Sequence, residues 1–237
     1  MKLKYTIAAL AVTTFSAQAA ITVTKDAGVF GNTYTGAEIY DGSAYVSPWN
    51  EAGGSANPTL VGSIATITTS GSNGWFQQDN GTSPWETGTL AGGSWTLEVE
   101  ASVSAVTGAG ALAIWGANGS ERFIWHVTPT GSGEFLAASG SEDNTVSTTW
   151  RVAYDSVDDD YSVWRNGVLK GDSFGQQAGT GSTRLIIGDC CGNGDHLTAA
   201  VSNVSFDTTG AFAPVPEPSS TALLGLGGLA LILRRRK

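Results

Sequence analysis

The chain has 237 residues, with 21 acidic and 12 basic side chains. The basic residues gather at the ends: Ala20 to Pro214 keeps only Lys25, Arg122, Arg151, Arg165, Lys170 and Arg184 against 20 acids, a net charge of −14. That balance argues against nucleic acid and anionic lipid surfaces as partners, because phosphate binding needs a basic face, and leaves cations, neutral sugars and basic partners open.

Met1 to Ala19 reads as a secretory signal peptide for the export machinery. Lys2 and Lys4 form a positive n-region, Tyr5 to Phe15 a short apolar core, and Ala17-Gln18-Ala19 a small-x-small cleavage site. The apolar core is shorter than the roughly 20 residues a spanning helix needs.

The remaining 195 residues to Pro214 suit one domain. Abundant Gly, Ser and Thr favour short strands joined by turns. Ile21–Lys25 and Leu60–Thr69 are expected as strands, with a long loop over Gly42–Pro58 and a mix of aromatics and turn residues over Asn73–Trp85. Ser94–Val103 alternates cleanly: Trp95, Leu97, Val99, Ala101 and Val103 on one face, Thr96, Glu98, Glu100 and Ser102 on the other. Period two with one polar face is a half-buried strand. Ala111–Trp115 and Arg122–Val127 are expected as two strands around a turn at Ala117-Asn118-Gly119-Ser120. Trp150–Asp155 and Tyr161–Arg165 pair across the acidic turn Ser156–Asp160. Asn166-Gly167 supplies a tight hairpin into Val168-Leu169-Lys170, because both residues tolerate positive φ. Arg184–Gly188 and Ala200–Phe206 are two late strands. No long helix is expected, and many short strands without helices point to an all-β antiparallel sandwich, a jelly roll.

Residues 94–212 are the best-supported part of this domain and resemble a laminin G-like, concanavalin A-like jelly roll. The resemblance rests on Ser94-Trp95-Thr96-Leu97-Glu98-Val99, on Trp150-Arg151-Val152-Ala153-Tyr154-Asp155, on the hairpin Tyr161-Ser162-Val163-Trp164-Arg165-Asn166-Gly167-Val168-Leu169, and on Ala200–Phe206 followed by Gly210-Ala211-Phe212. Such folds host binding modules and glycosidases alike.

Glu98 and Glu100 stand on one strand face and form the candidate acid pair of a glycosidase, whose retaining form needs carboxyl groups roughly 5–5.5 Å apart. Glycosidases of the resembling fold carry a further acid on the same strand, where this chain has Val103. The competing reading is a solvated polar stripe, and no catalytic set is assigned. No Gly-x-Ser-x-Gly elbow accompanies His126 or His196. Cys190 and Cys191 admit a vicinal disulfide, two free thiols or intermolecular pairing. Their loop, Gly188–Asp195, is the oddest surface feature. The resemblance implies an oxygen-liganded calcium at a loop edge, for which Asp155, Asp158 and Asp160 are the candidates, against a plain solvated acidic turn; no cofactor is required. Tryptophans stack on sugar rings when exposed: Trp95, Trp125 and Trp150 share a face with apolar neighbours and belong to the core, whereas Trp49, Trp75 and Trp85 fall in expected loops and are the candidate ligand platforms. Trp115 and Trp164 are open.

The chain ends in Val215-Pro216-Glu217-Pro218, an uncharged apolar run from Ser219 to Leu233, and Arg234-Arg235-Arg236-Lys237. Proline keeps the first segment out of a helix, and a basic cluster after an apolar run holds that end on the cytoplasmic side. Residues 215–237 thus resemble a PEP-CTERM sorting tail, carried by Pro216, Glu217, Pro218, Arg234, Arg235 and Arg236. The resemblance implies an exosortase as processing partner, transient membrane association until the tail is removed, and a setting in the envelope or extracellular matrix of bacteria making extracellular polysaccharide. The expectation is an exported, non-catalytic module binding polysaccharide or a surface protein, with a glycosidase or a purely structural surface protein as alternatives.

Overall fold

The computed structural model describes residues 21–216 apart from 55, 72, 90–91, 136 and 190–194. The strands in chain order are β1 (Asn32–Thr35), β2 (Asn50–Ala52), β3 (Thr59–Val61), β4 (Ile64–Thr68), β5 (Gly74–Gln78), β6 (Trp95–Thr107), β7 (Leu112–Thr128), β8 (Gly131–Glu134), β9 (Thr148–Asp155), β10 (Asp160–Arg165), β11 (Val168–Phe174), β12 (Gln177–Asp189) and β13 (His196–Asp207). Two short helices, α1 (Gly36–Ile39) and α2 (Pro84–Thr89), interrupt them.

These strands form the antiparallel sandwich the patterning predicts. One sheet runs β11-β10-β9-β6-β13-β4-β3, with β1 also paired to β13. The other runs β2-β5-β12-β7-β8. The core lies between them, built from the inward alternates: Trp95, Leu97, Val99, Ala101 and Val103 of β6 meet Leu112, Ile114, Phe123, Trp125 and Val127 of β7 and Leu185 and Ile187 of β12. Burying an aliphatic or aromatic side chain of this kind stabilises by roughly 1.5–3 kcal/mol, and Trp95, Trp125 and Trp150 all lie in this core as their parity indicates.

Strand β7 departs from expectation. The anticipated turn at Ala117–Ser120 is instead the middle of one 17-residue strand. Gly119 has φ of +106°, and the pairing with β12 slips between Ala178 and Ser182. Across this irregularity the alternation inverts: Leu112 and Ile114 face the core before it, Phe123, Trp125 and Val127 after it. A glycine read as a turn therefore bends a continuous strand. At β10–β11 the expected hairpin is present, with Asn166 at φ +47° and Gly167 at +75°; left-handed values at both positions match the twist of the flanking strands.

The N-terminal third is more ordered than its sequence suggests. Leu60–Thr69 is a hairpin of β3 and β4, the long loop contains β2, and Asn73–Trp85 contains β5 and the start of α2. Ile21–Lys25 contributes a single bridge, Thr24 to Ala213, rather than a strand. That bridge brings the two ends of the sandwich together on the outer face of the eight-stranded sheet, where Ile21 and Ala211 pack on Trp164 and Ala153.

Candidate functional site

Trp85 and Trp49, expected as loop platforms, belong to the core and have no ring face to offer. Trp85 is fully buried on α2, 5.0 Å from the Trp95 ring, with its Nε1 donating to the Ala117 carbonyl at 3.0 Å. Trp49 is buried edge-on against Tyr34 at 5.4 Å. Trp75 differs: it is half-buried and points away from the core on β5, where its Nε1 donates to Gln77 Oε1 at 3.0 Å. Gly188 pairs opposite it, and a Cβ there would lie 2.6 Å from Trp75 Cα.

Trp75 marks a second apolar cluster on the outward face of the five-stranded sheet. Ala113, Trp115 and Ala117 of β7, Ile124 beyond its bend and Ile186 of β12 are all buried there, with Trp75 and Phe135 packed against them. One cross-strand row reads Asn50, Gln77, Ile186, Trp115, and directly paired residues share a face. Trp115 forms the floor. Arg184 lies over its ring at 4.7 Å, and Arg122 at 5.2 Å, reaching also over Phe135 at 5.8 Å. Guanidinium groups favour such placements over an aromatic face.

Several polar atoms on or beside this face are buried with no hydrogen-bond partner: Trp115 Nε1, Arg122 Nε, Gln177 Oε1 and Asn50 Oδ1. Gln177 pairs directly with Arg122. Burial draws the Arg184 guanidinium below its ordinary pKa, Asp79 opposes this, and the charge of Arg122 adds to it. Asp79 is 3.9 Å from Arg184, and its own carboxyl is pushed up by burial. His126, further along β7, is buried 5.4 Å from Phe135, and burial depresses its pKa to about 4. The sequence reading missed Arg122, Arg184 and Gln177. The sequence pattern predicts Trp115 and Arg122 on separate strands, which hides their common face.

The other expected residues lie elsewhere. Glu98 and Glu100 share the outward face of β6, on the opposite sheet. Glu98 is bound by Arg151 and lines a cleft of about 530 Å³ with Asp26, Thr149, Asn166 and Pro214; burial pushes its carboxyl up while Arg151 pulls it down. Glu100 accepts from Ser147 Oγ at 2.8 Å. In the acidic turn, Asp155 accepts from the Val157 N–H at 2.9 Å, and Asp159 accepts from the Tyr154 hydroxyl at 2.9 Å. Asp160 is raised by burial and hydrogen-bonds Ser173, with Asp155 and Asp158 as neighbouring charges. Among the described residues no three His, Cys, Asp or Glu side chains form a group that could hold a metal ion, and Asp155, Asp158 and Asp160 are not gathered into one. Met1–Ala19, Cys190, Cys191 and the tail from Glu217 onward, with Pro218 and Arg234 to Arg236, lie outside the described residues; Pro216 is exposed. No helix among the described residues is long and apolar enough to cross a membrane.

A family model for the PEP-CTERM protein-sorting motif matches residues 214–237. The chain carries a PEP-CTERM sorting signal. That signal marks an exported protein, sorted to the envelope through its C-terminal tail and recognised by an exosortase-type processing enzyme. No curated protein matches the sequence. Among solved structures, the fold is similar to Trypanosoma rangeli sialidase, with a TM-score of 0.55 at 13% identity over 76% of this chain and 30% of that one. The same sialidase in complex with 2,3-difluoro-KDN gives 0.50 at 15% identity over 67% and 27%. A carbohydrate esterase from Shiga toxin-encoding bacteriophage phi24B gives 0.49 at 14% identity over 73% and 95%. This chain spans less than a third of the sialidase chains, and identities this low establish the sandwich fold alone.

Proposed function

We propose that this PEP-CTERM protein is a non-catalytic envelope or matrix module that binds polysaccharide through the outward face of its five-stranded sheet. The observation that carries the reading is the composition of that face. It sets the half-buried rings of Trp75 and Phe135 beside the polar side chains of Gln177, Arg122 and Arg184, which lie over and around a buried Trp115 floor. Sugars present apolar C–H faces to aromatic rings and hydroxyls to just such donors and acceptors. The sorting tail, a signal of exported, envelope-sorted proteins, supports a ligand met outside the cell.

The exported protein, immobilised and probed with neutral, uronate-bearing and sulfated polysaccharides, tests this. Binding by at least one class, weakened about tenfold by Trp75→Ala, is expected for a central aromatic contact. Silence across the whole panel would overturn the proposal and favour a purely structural surface protein.

A further inference from the structure

Six cations serve the whole segment from Ala20 to Pro214, and five of them are engaged. Lys25 meets Asp207, Arg151 meets Glu98, and Lys170 meets Glu142. Arg165 donates to Asn144 Oδ1 at 3.1 Å and to the Asp143 carbonyl at 2.6 Å, and Arg184 has Asp79 at 3.9 Å. Arg122 has neither carboxylate, amide nor carbonyl partner among the described residues; its contacts are the rings of Trp115 and Phe135. Its Nε is buried and unbonded. In so acidic a domain, a half-buried guanidinium with no acid partner among the described residues is a departure that needs a cause.

The cause lies in its neighbour. Arg184 shares the Trp115 floor, close enough that each charge bears on the other. Two like charges held together on a partly desolvated surface oppose folding unless an anion joins them. Asp79 reaches Arg184 at a long distance. Arg122, stacked on the ring with no carboxylate partner among the described residues, presents a guanidinium fork that matches a carboxylate or sulfate in a bidentate geometry.

We infer that Arg122 and Arg184, seated on Trp115, form a binding site for the anionic group of an acidic polysaccharide, a uronate carboxylate or a sulfate ester. The inference rests on the polysaccharide reading above and names its ligand class. The net charge of −14 repels polyanions at long range, so the site works at contact: binding is slow to form at low salt, local, and dependent on the guanidinium geometry.

The test compares the full chain with its Arg122→Gln and Arg122→Lys variants on polygalacturonate, dextran sulfate and unmodified dextran, with thermal melts of each. Loss of a charged bidentate contact is worth about tenfold or more in affinity. The expected result is acidic-polymer binding reduced by that factor in Arg122→Gln and only partly restored in Arg122→Lys, with the melting transition kept. The polymer bound better, polygalacturonate or dextran sulfate, identifies the anion. Dextran bound as tightly as the acidic polymers, with Arg122→Gln unchanged, would overturn this inference and leave polysaccharide binding standing. No binding to any polymer would overturn both. If Arg122→Gln fails to fold, Arg122→Lys decides: unchanged acidic-polymer affinity there would remove the guanidinium fork from the argument.

Discussion

Arg151 holds Glu98 through two nitrogens, Nε and a terminal nitrogen each 2.7 Å from the same carboxylate oxygen. The pair bridges β9 and β6, which are in direct register at these residues. Arg151 also donates to the Lys25 carbonyl at 2.8 Å and lies 5.0 Å over the Phe30 ring. One buried guanidinium thus joins the sheet to the N-terminal segment. Removing it leaves a largely buried carboxylate uncompensated, which typically costs about 3–5 kcal/mol. Arg151→Ala is therefore expected to lower the unfolding free energy from urea denaturation by that amount, and a loss below about 1 kcal/mol, the usual range of surface pairs, would show the pair to be solvent-screened.

The same geometry bears on the glycosidase alternative. Glu98 and Glu100 are both occupied, by Arg151 and by Ser147. Glu98→Gln and Glu100→Gln are expected to leave polysaccharide turnover at the background of the unaltered protein. A measurable hydrolysis that disappears in both variants while the fold persists would place a reaction in the cleft beside Glu98.

Acid sensitivity follows from His126. Its folded pKa of about 4 lies below the ordinary histidine value of 6.5, so the unfolded chain binds the proton first. Stability is then complete above pH 6.5 and falls as pH drops from 6.5 towards 4. The gap corresponds to roughly 3 kcal/mol at most. Buried Asp189 has the opposite sign: burial raises its folded pKa, so its contribution is present at low pH and fades as pH rises through that raised value. Denaturation series at pH 7 and pH 5 separate them, because His126→Phe should flatten the loss at pH 5. An unaltered pH 5 to pH 7 difference in that variant would remove His126 as its source.

How much of this was legible in the sequence depended on periodicity. Strand β6 and the β9–β10–β11 meander follow from clean alternation and an Asn-Gly turn, and the core placement of Trp95 and Trp150 comes with them; that of Trp125 follows from the parity of Arg122–Val127. Trp85 departs from the expected loop because Pro84 and its turn-forming neighbours read as a loop while also fitting the first turn of α2. The local signal for α2 was nonetheless present in Ser83-Pro84-Trp85-Glu86. Ser83 Oγ accepts from the Glu86 N–H at 3.3 Å, and the Ser83 N–H donates to Glu86 at 3.2 Å, a reciprocal capping box with proline at the first helical position. The Arg122–Trp115–Arg184 arrangement was not legible. It depends on an inversion of alternation at Gly119 and on pairing between strands distant in sequence, and neither leaves a short-range pattern.

The space opposite Trp75 gives a sharper test of the outward face. Gly188 has φ of +151°, and a Cβ there would approach the Trp75 backbone and side chain at 2.6 Å. Gly188→Ala combines an unfavourable backbone region with overpacking, which together cost roughly 1–3 kcal/mol. It also displaces the Trp75 ring. Reduced polysaccharide binding alongside the lower melting temperature is expected. Full affinity in a destabilised variant would take Trp75 out of the binding face.

The sorting motif begins at residue 214, one residue after the last backbone tie between the ends of the domain. Lys25 N–H donates to the Ala213 carbonyl at 3.0 Å, Ala213 N–H to the Val23 carbonyl at 2.8 Å, and Phe212 N–H to Thr96 Oγ1 at 2.8 Å. Each such bond contributes about 0.5–1.5 kcal/mol net. A chain cut after Pro214 keeps all three, and its melting temperature should match that of the uncut protein. A chain cut after Gly210 loses them, exposes Trp164 and Ala153, and should unfold several degrees lower. Equal melting temperatures for the two truncations would mean that the pairing of the ends adds nothing to the fold. The larger loss for the shorter chain would show that the domain closes immediately before the segment its processing enzyme recognises, so that removal of the tail leaves the sandwich intact.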